Sequence, residues 1–156
     1  MKKIKTLYHY NSVREIVKAS KANDIDAINI ISDSIAYHIL KNNLKGVIIP
    51  VPSTKKSTEK IARYTALKSN KQCCISLFKF KAPSNCKLRI KTDSRKCLSV
   101  QEIKKYIRVR NYPDLKNIIL IDDVSTSGNT IQACIEKLSG YKITAIAYAN
   151  GSRKGR

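Results

Sequence analysis

The residues best placed to do chemistry lie in one stretch, Ile118-Ile119-Leu120-Ile121-Asp122-Asp123-Val124-Ser125-Thr126-Ser127-Gly128-Asn129-Thr130. Two of the chain's 11 acidic residues stand side by side after four apolar ones, the pattern of a buried strand ending on a carboxylate pair. The carboxyl end of such a strand is where open α/β sheets hold their ligands. A turn rich in hydroxyls and glycine follows, then helical periodicity at Ile131, Cys134, Ile135 and Leu138. Free backbone N–H groups and the positive end of a helix dipole at such a turn suit a phosphate. Thr126, Ser127 and Thr130 add hydroxyl donors, and Gly128 permits close approach or a positive φ. Carboxylates beside a phosphate cradle match a sugar phosphate, whose vicinal hydroxyls would donate to the acids. No Lys follows the glycine, so this is not a Walker A loop and ATP hydrolysis is disfavoured. With no ligand, the same residues would serve as a helix-capping turn.

The elements that must position these groups alternate along the chain. Ser12-Val13-Arg14-Glu15 has the form of a capping box, with Ile16 and Val17 on one helical face behind it. From Asp24 to Asn42, Ile25, Ile28, Ile31, Ile35 and Ile39 recur at intervals of three and four and predict an amphipathic helix. Val47-Ile48-Ile49 reads as a short buried strand, stopped by Pro50-Val51-Pro52-Ser53-Thr54-Lys55-Lys56. A helix over 58–68 and a strand over 74–80 come next. Residues 81–97 have no clean periodicity and are dense in Lys and Arg, the character of a flexible loop. Ser99-Val100-Gln101-Glu102 is a second capping box, opening a helix with Val100, Ile103 and Ile107 on one side. Asn111-Tyr112-Pro113-Asp114 is turn chemistry. Gly140 ends the helix after the candidate turn, and Lys142 to Ala149 reads as a last strand. Strands apolar on both faces alternating with helices predict an α/β fold with a mostly parallel sheet flanked by helices, in a single domain over 1–156.

Charge narrows the company this chain keeps. Its 156 residues carry 31 Lys and Arg against 11 Asp and Glu, for a net charge of +20. That balance points to polyanions, either nucleic acid or phosphorylated metabolites. Residues 41–70 carry 7 basic and 1 acidic group and residues 71–110 carry 12 and 2, so 16 of the 20 excess charges fall between 41 and 110. A 42% apolar fraction is enough for a packed core. With no apolar run of membrane-spanning length, the expectation is a soluble, cytoplasmic protein. Five cysteines, an odd number without a secretory signal, argue against a disulfide framework. A zinc site from Cys73, Cys74, Cys86 and Cys97 is disfavoured, because there is no C-x2-C pair and no nearby His. Tyr8, His9 and Tyr10 could stack on a ring, although aromatics near a terminus more often anchor the chain to its core. His38, beside Tyr37 on an amphipathic helix, reads as structural.

The stretch Ile118 to Thr130 resembles the signature of type I phosphoribosyltransferases: four apolar residues, two acids, then a T-[ST]-G-x-T turn. Ser125 stands where many members carry an aliphatic residue. Ile48-Ile49-Pro50-Val51-Pro52 resembles the strand and P-V-P turn of the ComF-like subgroup, and the segment Lys91 to Glu102 resembles its K-T-x-x-Q-x-x-L-S-x-x-E-R stretch. Arg95 and Ile103 depart from that pattern, as does Ser57-Thr58-Glu59-Lys60-Ile61-Ala62, where R-G-F-N-Q is expected. The resemblance covers roughly residues 46–150, leaving 1–45 as an N-terminal helical or hood region that would select the acceptor with part of 70–110. It implies binding of phosphoribosyl pyrophosphate (PRPP), with Asp122 and Asp123 as catalytic and ribose-binding residues. Ser125, Thr126, Ser127, Gly128, Asn129 and Thr130 would hold the 5-phosphate, and Ser53, Thr54 and Lys55 the pyrophosphate. Mg2+ is the implied cofactor, carried by PRPP with no direct protein ligand. Lysines after a proline turn also occur simply as solvated charge, and Lys55 has both readings. The basic loop from Lys79 to Lys96 would be a lid or, alternatively, a DNA- or RNA-binding patch. A catalytically reduced module that binds nucleic acid through the basic 41–110 region is the competing reading. A homodimer or a complex with another protein fits either.

Overall fold

The run Ile118-Ile119-Leu120-Ile121 is apolar at every position because both faces of its strand are covered. The computed structural model describes residues 3–79 and 98–151. In it the run forms the middle of β5 (Asn117–Ser125), which lies between β6 (Lys142–Asn150) and β2 (Val47–Pro50). β1 (Ile4–His9) closes the other edge, so the sheet order is β1-β6-β5-β2 and every neighbouring pair is parallel. All four strands therefore end on the same side.

Alternation along each strand sends successive residues to opposite layers. Ile119, Ile121, Ile48 and Ile146 pack against α1 (Tyr10–Lys21), α2 (Ile25–Lys41) and α3 (Ser57–Ser69). Ile118, Leu120, Val47, Ile49 and Ala147 pack against α4 (Val100–Lys104), α5 (Asn129–Lys137) and a small ribbon. That ribbon pairs β3 (Leu77–Lys79) with β4 (Ile107–Val109) antiparallel, outside the main sheet. Ile119, Leu120 and Ile121 are fully buried, and each such side chain contributes about 1.5–3 kcal/mol of transfer free energy. The α/β architecture with a mostly parallel sheet flanked by helices is thus as the pattern predicts.

The isoleucine ladder of α2 is buried as its spacing predicts at Ile28, Ile31, Ile35 and Ile39, and Asp24 caps it by accepting the Ala27 N–H at 2.8 Å. Ile25, by contrast, is exposed. The second capping box is also present, with Ser99 and Glu102 bonding reciprocally.

Several local expectations are corrected. Ser12-Val13-Arg14-Glu15 is not a cap: α1 begins at Tyr10, straight out of β1, so Ser12 already lies inside the first turn and Glu15 pairs with Lys18 at 3.3 Å. Of the expected strand over 74–80, residues 77–79 form β3, residues 74–76 do not belong to it and residue 80 lies outside the described residues, while Cys73 makes an isolated bridge to Ile48. The helix opened by Ser99 stops at Lys104, and Ile107, expected on its face, is buried instead as the first residue of β4. Outside these corrections, residues 3–45 of the expected N-terminal helical or hood region form β1 at the sheet edge and the helices α1 and α2. The basic loop falls almost wholly outside the described residues, as do Cys86 and Cys97.

Candidate functional site

The common end of the parallel strands gathers the residues that the motif singles out. Asp122 and Asp123 lie in the last turn of the pleat of β5. Beyond Ser125 the chain makes a tight turn at Thr126, Ser127 and Gly128 before α5 begins at Asn129. Gly128 takes φ of +76° at the N-cap, a left-handed conformation that L side chains adopt with strain. Gly128 has no side chain to cap the helix, and the first helical N–H, that of Asn129, donates to the Ser127 hydroxyl at 3.3 Å. Asp122, Ser125, Thr126, Ser127, Gly128 and Thr130 line a small cavity of about 40 Å³ at this turn. Thr126 and Ser127 are exposed, while Ser125 is buried and its carbonyl accepts the Gly151 N–H at 2.9 Å.

The two carboxylates have different surroundings. Asp123 is buried and faces α1, where the Lys21 ammonium stands 3.6 Å from its Oδ2. Asp122 is partly buried, and its carboxyl is pushed well above the ordinary carboxylate range, first by burial and then by the charge of Asp123. Each carboxylate also accepts the N–H of the following residue, Asp122 from Asp123 at 2.9 Å and Asp123 from Val124 at 2.8 Å. The pair is therefore held rigidly, with one member charge-compensated and the other favouring its proton.

The proline loop reaches the same end of the sheet. The Val51 N–H donates to the Ile121 carbonyl at 2.8 Å, one residue before Asp122, which ties the start of the loop beside the acid pair. Ser53, Thr54 and Lys55 are exposed, and the Lys55 N–H donates to Ser53 Oγ at 3.2 Å. Pro52, Ser53, Lys55, Lys56 and Lys79 border a cavity of about 180 Å³; Thr54 does not line it. The Asn129 side-chain amide donates to the Leu98 carbonyl at 2.9 Å, leaving its backbone at the turn. Tyr8, His9 and Tyr10 do not gather here as a ring clamp: Tyr10 packs on the core and Tyr8 lies against Tyr148, with centroids 5.0 Å apart.

Three supporting residues escape a reading of the sequence. Lys21 sits at the end of a helix far from the motif, and only the fold brings it to Asp123. Ile4 underlies the turn, since a Cβ on Gly128 would meet its Cδ1 at 2.9 Å. Gly151 packs so tightly that a Cβ there would lie 2.7 Å from Thr126 Cγ2. The alternation of Ile4, Thr6 and Tyr8 is the one signal that could have disclosed β1. No group of three or more His, Cys, Asp or Glu side chains gathers into a metal-ligating cluster among the described residues. No described helix is long and apolar enough to cross a membrane.

No family model matches the chain, and no curated protein matches it. Solved structures resemble it at low identity. A hypoxanthine phosphoribosyltransferase from Staphylococcus aureus is 12% identical, covering 79% of this chain and 61% of that one, with a TM-score of 0.42. UMP synthase from Leishmania donovani is 14% identical over 81% of this chain and 26% of that one, with a TM-score of 0.44. Hypoxanthine phosphoribosyltransferase from Trypanosoma cruzi is 12% identical over 91% of this chain and 70% of that one, with a TM-score of 0.46. The chain thus spans about three fifths of the first of these and a quarter of the second.

Proposed function

We propose that the chain binds PRPP at the carboxyl end of β5 and acts as a phosphoribosyltransferase of ComF-like type. The observation that carries this reading is the adjacency of two unlike carboxylates to a hydroxyl-rich helix N-terminus that opens on a left-handed glycine. In this assignment Asp122 and Asp123 hydrogen-bond the ribose hydroxyls. The 5-phosphate rests on the turn, where Ser125, Thr126, Ser127, Gly128 and Thr130 offer N–H groups and hydroxyls. Asn129 contributes its backbone alone, its side chain being engaged by Leu98. Ser53, Thr54 and Lys55 take the pyrophosphate.

Transfer breaks the bond from ribose C1 to pyrophosphate, whose oxygen keeps the electron pair. The acceptor forms the new bond at C1 and gives up its proton. The chain's part is to hold the two ends of the sugar phosphate and to place carboxylates beside a ring that becomes cationic. Bound Mg2+ would neutralise pyrophosphate charge. The carboxylate oxygens of Asp122 and Asp123 are hard donors compatible with it, but the described residues supply no third ligand to complete a protein cage.

Titration calorimetry with PRPP and Mg2+ tests the reading. Saturable binding by the native protein, lost in Asp122→Ala/Asp123→Ala, supports it. Equal behaviour of the two proteins refutes it. Pyrophosphate release with a panel of bases then identifies the acceptor. Of the basic 41–110 region that carries the competing nucleic-acid reading, residues 80–97 lie outside the described residues.

A further inference from the structure

A second concave surface lies at the opposite edge of the sheet, between β1 and α2. It encloses about 400 Å³ and is bordered by Lys5, Tyr8, Tyr37, His38, Lys41 and Asn42 among others, with no carboxylate among the described residues that line it. β1 is an edge strand, hydrogen-bonded to β6 alone among the described strands, so no described strand takes up its outer backbone groups. Tyr8 is 44% exposed and Tyr37 is 65% exposed, leaving much of both rings in solvent. Lys41 Nζ stands 5.7 Å from the centroid of the Tyr37 ring, which keeps a cation beside that ring face. The Asn42 amide donates to the His38 carbonyl at 2.8 Å and lies 3.3 Å from His38 Nδ1, which fixes the end of α2 that carries Lys41. The His38 imidazole is held below its ordinary pKa by burial and then by the charges of Lys5 and Lys41, the two cations that border the groove.

We propose that this groove is a binding site for single-stranded nucleic acid, with Lys5 and Lys41 against the phosphates and Tyr37 as a platform for a base. Exposed rings beside cations, backbone groups that no described strand takes up and no acid among the described lining residues are what an unpaired strand requires: ring faces for stacking, charge for the backbone, hydrogen-bond partners for base edges. A duplex keeps its bases stacked and would not use the rings. A second copy of this chain would bring Lys5 and Lys41 against like charges, on a protein of net charge +20. Lys5, Tyr8, Tyr37 and His38 lie outside the basic segment 41–110, and Lys41 stands at its first position.

Anisotropy of a labelled dodecathymidylate, titrated over a series of KCl concentrations, tests the site. The substitutions fall on exposed side chains, and circular dichroism checks that each variant folds. Lys5→Gln/Lys41→Gln is expected to flatten the slope of log affinity against log salt by about 1.4, at about 0.7 for each phosphate no longer neutralised. Lys105→Gln/Lys142→Gln removes the same charge from exposed positions elsewhere and is expected to leave the slope near that of the native protein. Tyr37→Ala is expected to weaken binding roughly ten-fold without changing the slope, the signature of a missing stacking platform. The groove is not the site if the two double variants behave alike, if Tyr37→Ala binds as the native protein does, or if a matched duplex competes as well as the single strand. Concentration-dependent dimerisation abolished by Lys5→Gln/Lys41→Gln would also overturn the proposal, in favour of a second copy. PRPP binding by these variants should be unchanged, and Asp122→Ala/Asp123→Ala should bind the oligonucleotide normally, so this site and the PRPP site fail or succeed separately.

Discussion

Replacing Asp122 with Asn should stabilise the protein at neutral pH while destroying the candidate sugar site. The Asp122 carboxyl is raised well above the ordinary carboxylate range by burial first and by Asp123 second. A raised acid means that, from the ordinary carboxylate pKa upward, the native state holds a proton that the unfolded chain has released. Stability therefore falls as pH rises through that window. Asn at this position has no proton to lose, and its Oδ1 can keep the hydrogen bond from the Asp123 N–H, now 2.9 Å. Each unit of displacement removed is worth about 1.4 kcal/mol, or about 3–5 °C in melting temperature for a domain of this size. Asp123→Asn should behave differently. It gives up a partly exposed ion pair with Lys21 worth about 0–1 kcal/mol, and relieves only the lesser cause of the Asp122 shift. The assay is thermal unfolding of the three proteins from mildly acidic to mildly alkaline pH. Asp122→Asn should lie highest at neutral pH with a flattened profile, and Asp123→Asn should keep most of the native slope. An Asp122→Asn protein no more stable than the native one at neutral pH would refute this account. So would an Asp123→Asn profile flattened as strongly, because repulsion rather than burial would then dominate.

Other expectations concern the backbone and the thiols. Gly128→Ala places a Cβ on a residue with φ of +76° and 2.9 Å from Ile4 Cδ1, so it should cost about 1–2 kcal/mol and weaken PRPP binding in the same calorimetric assay. Gly46→Ala should be more damaging, since its Cβ would lie 2.6 Å from the Asn117 carbonyl oxygen and φ is +134°. Roughly 3 kcal/mol or more is expected, read as a lower urea midpoint. Ser99→Ala removes the capping box of α4 and should lower stability by about 1 kcal/mol in the same titration. Burial pushes the Cys73 thiol up to about 11 and that of Cys134 higher still, so both should resist iodoacetamide at neutral pH until the protein is unfolded, as mass spectrometry of digests would show.

Much of the architecture can be read from local pattern, because burial on two faces leaves a run with no polar position. Ile118 to Ile121 and Val47 to Ile49 are such runs, and both form strands of the main sheet. The ladder Ile28, Ile31, Ile35, Ile39 declares its helix by the same logic. β1 is harder to see: as an edge strand it is only partly covered, so Lys5 and His9 interrupt its apolar character. The split of 99–109 into a short helix and a strand is invisible locally, since Ile107 satisfies helical spacing but is claimed by pairing with Lys79.

Local order along the chain settles which groups make up the candidate site: two adjacent acids, a hydroxyl-rich turn and a glycine, all within nine contiguous residues from Asp122 to Thr130. How those acids differ is decided by the fold. Lys21, far away in the chain, is carried by α1 to Asp123, while Asp122 feels that lysine only weakly, behind burial and the charge of its neighbour. The same fold sends the Asn129 side chain to Leu98 and sets Ile4 and Gly151 beneath the turn. It also brings Lys5 and Lys41 to one groove at the sheet edge. A carboxylate's proton affinity depends on the charges and dielectric packed around it, and those come from distant segments that no local spacing specifies.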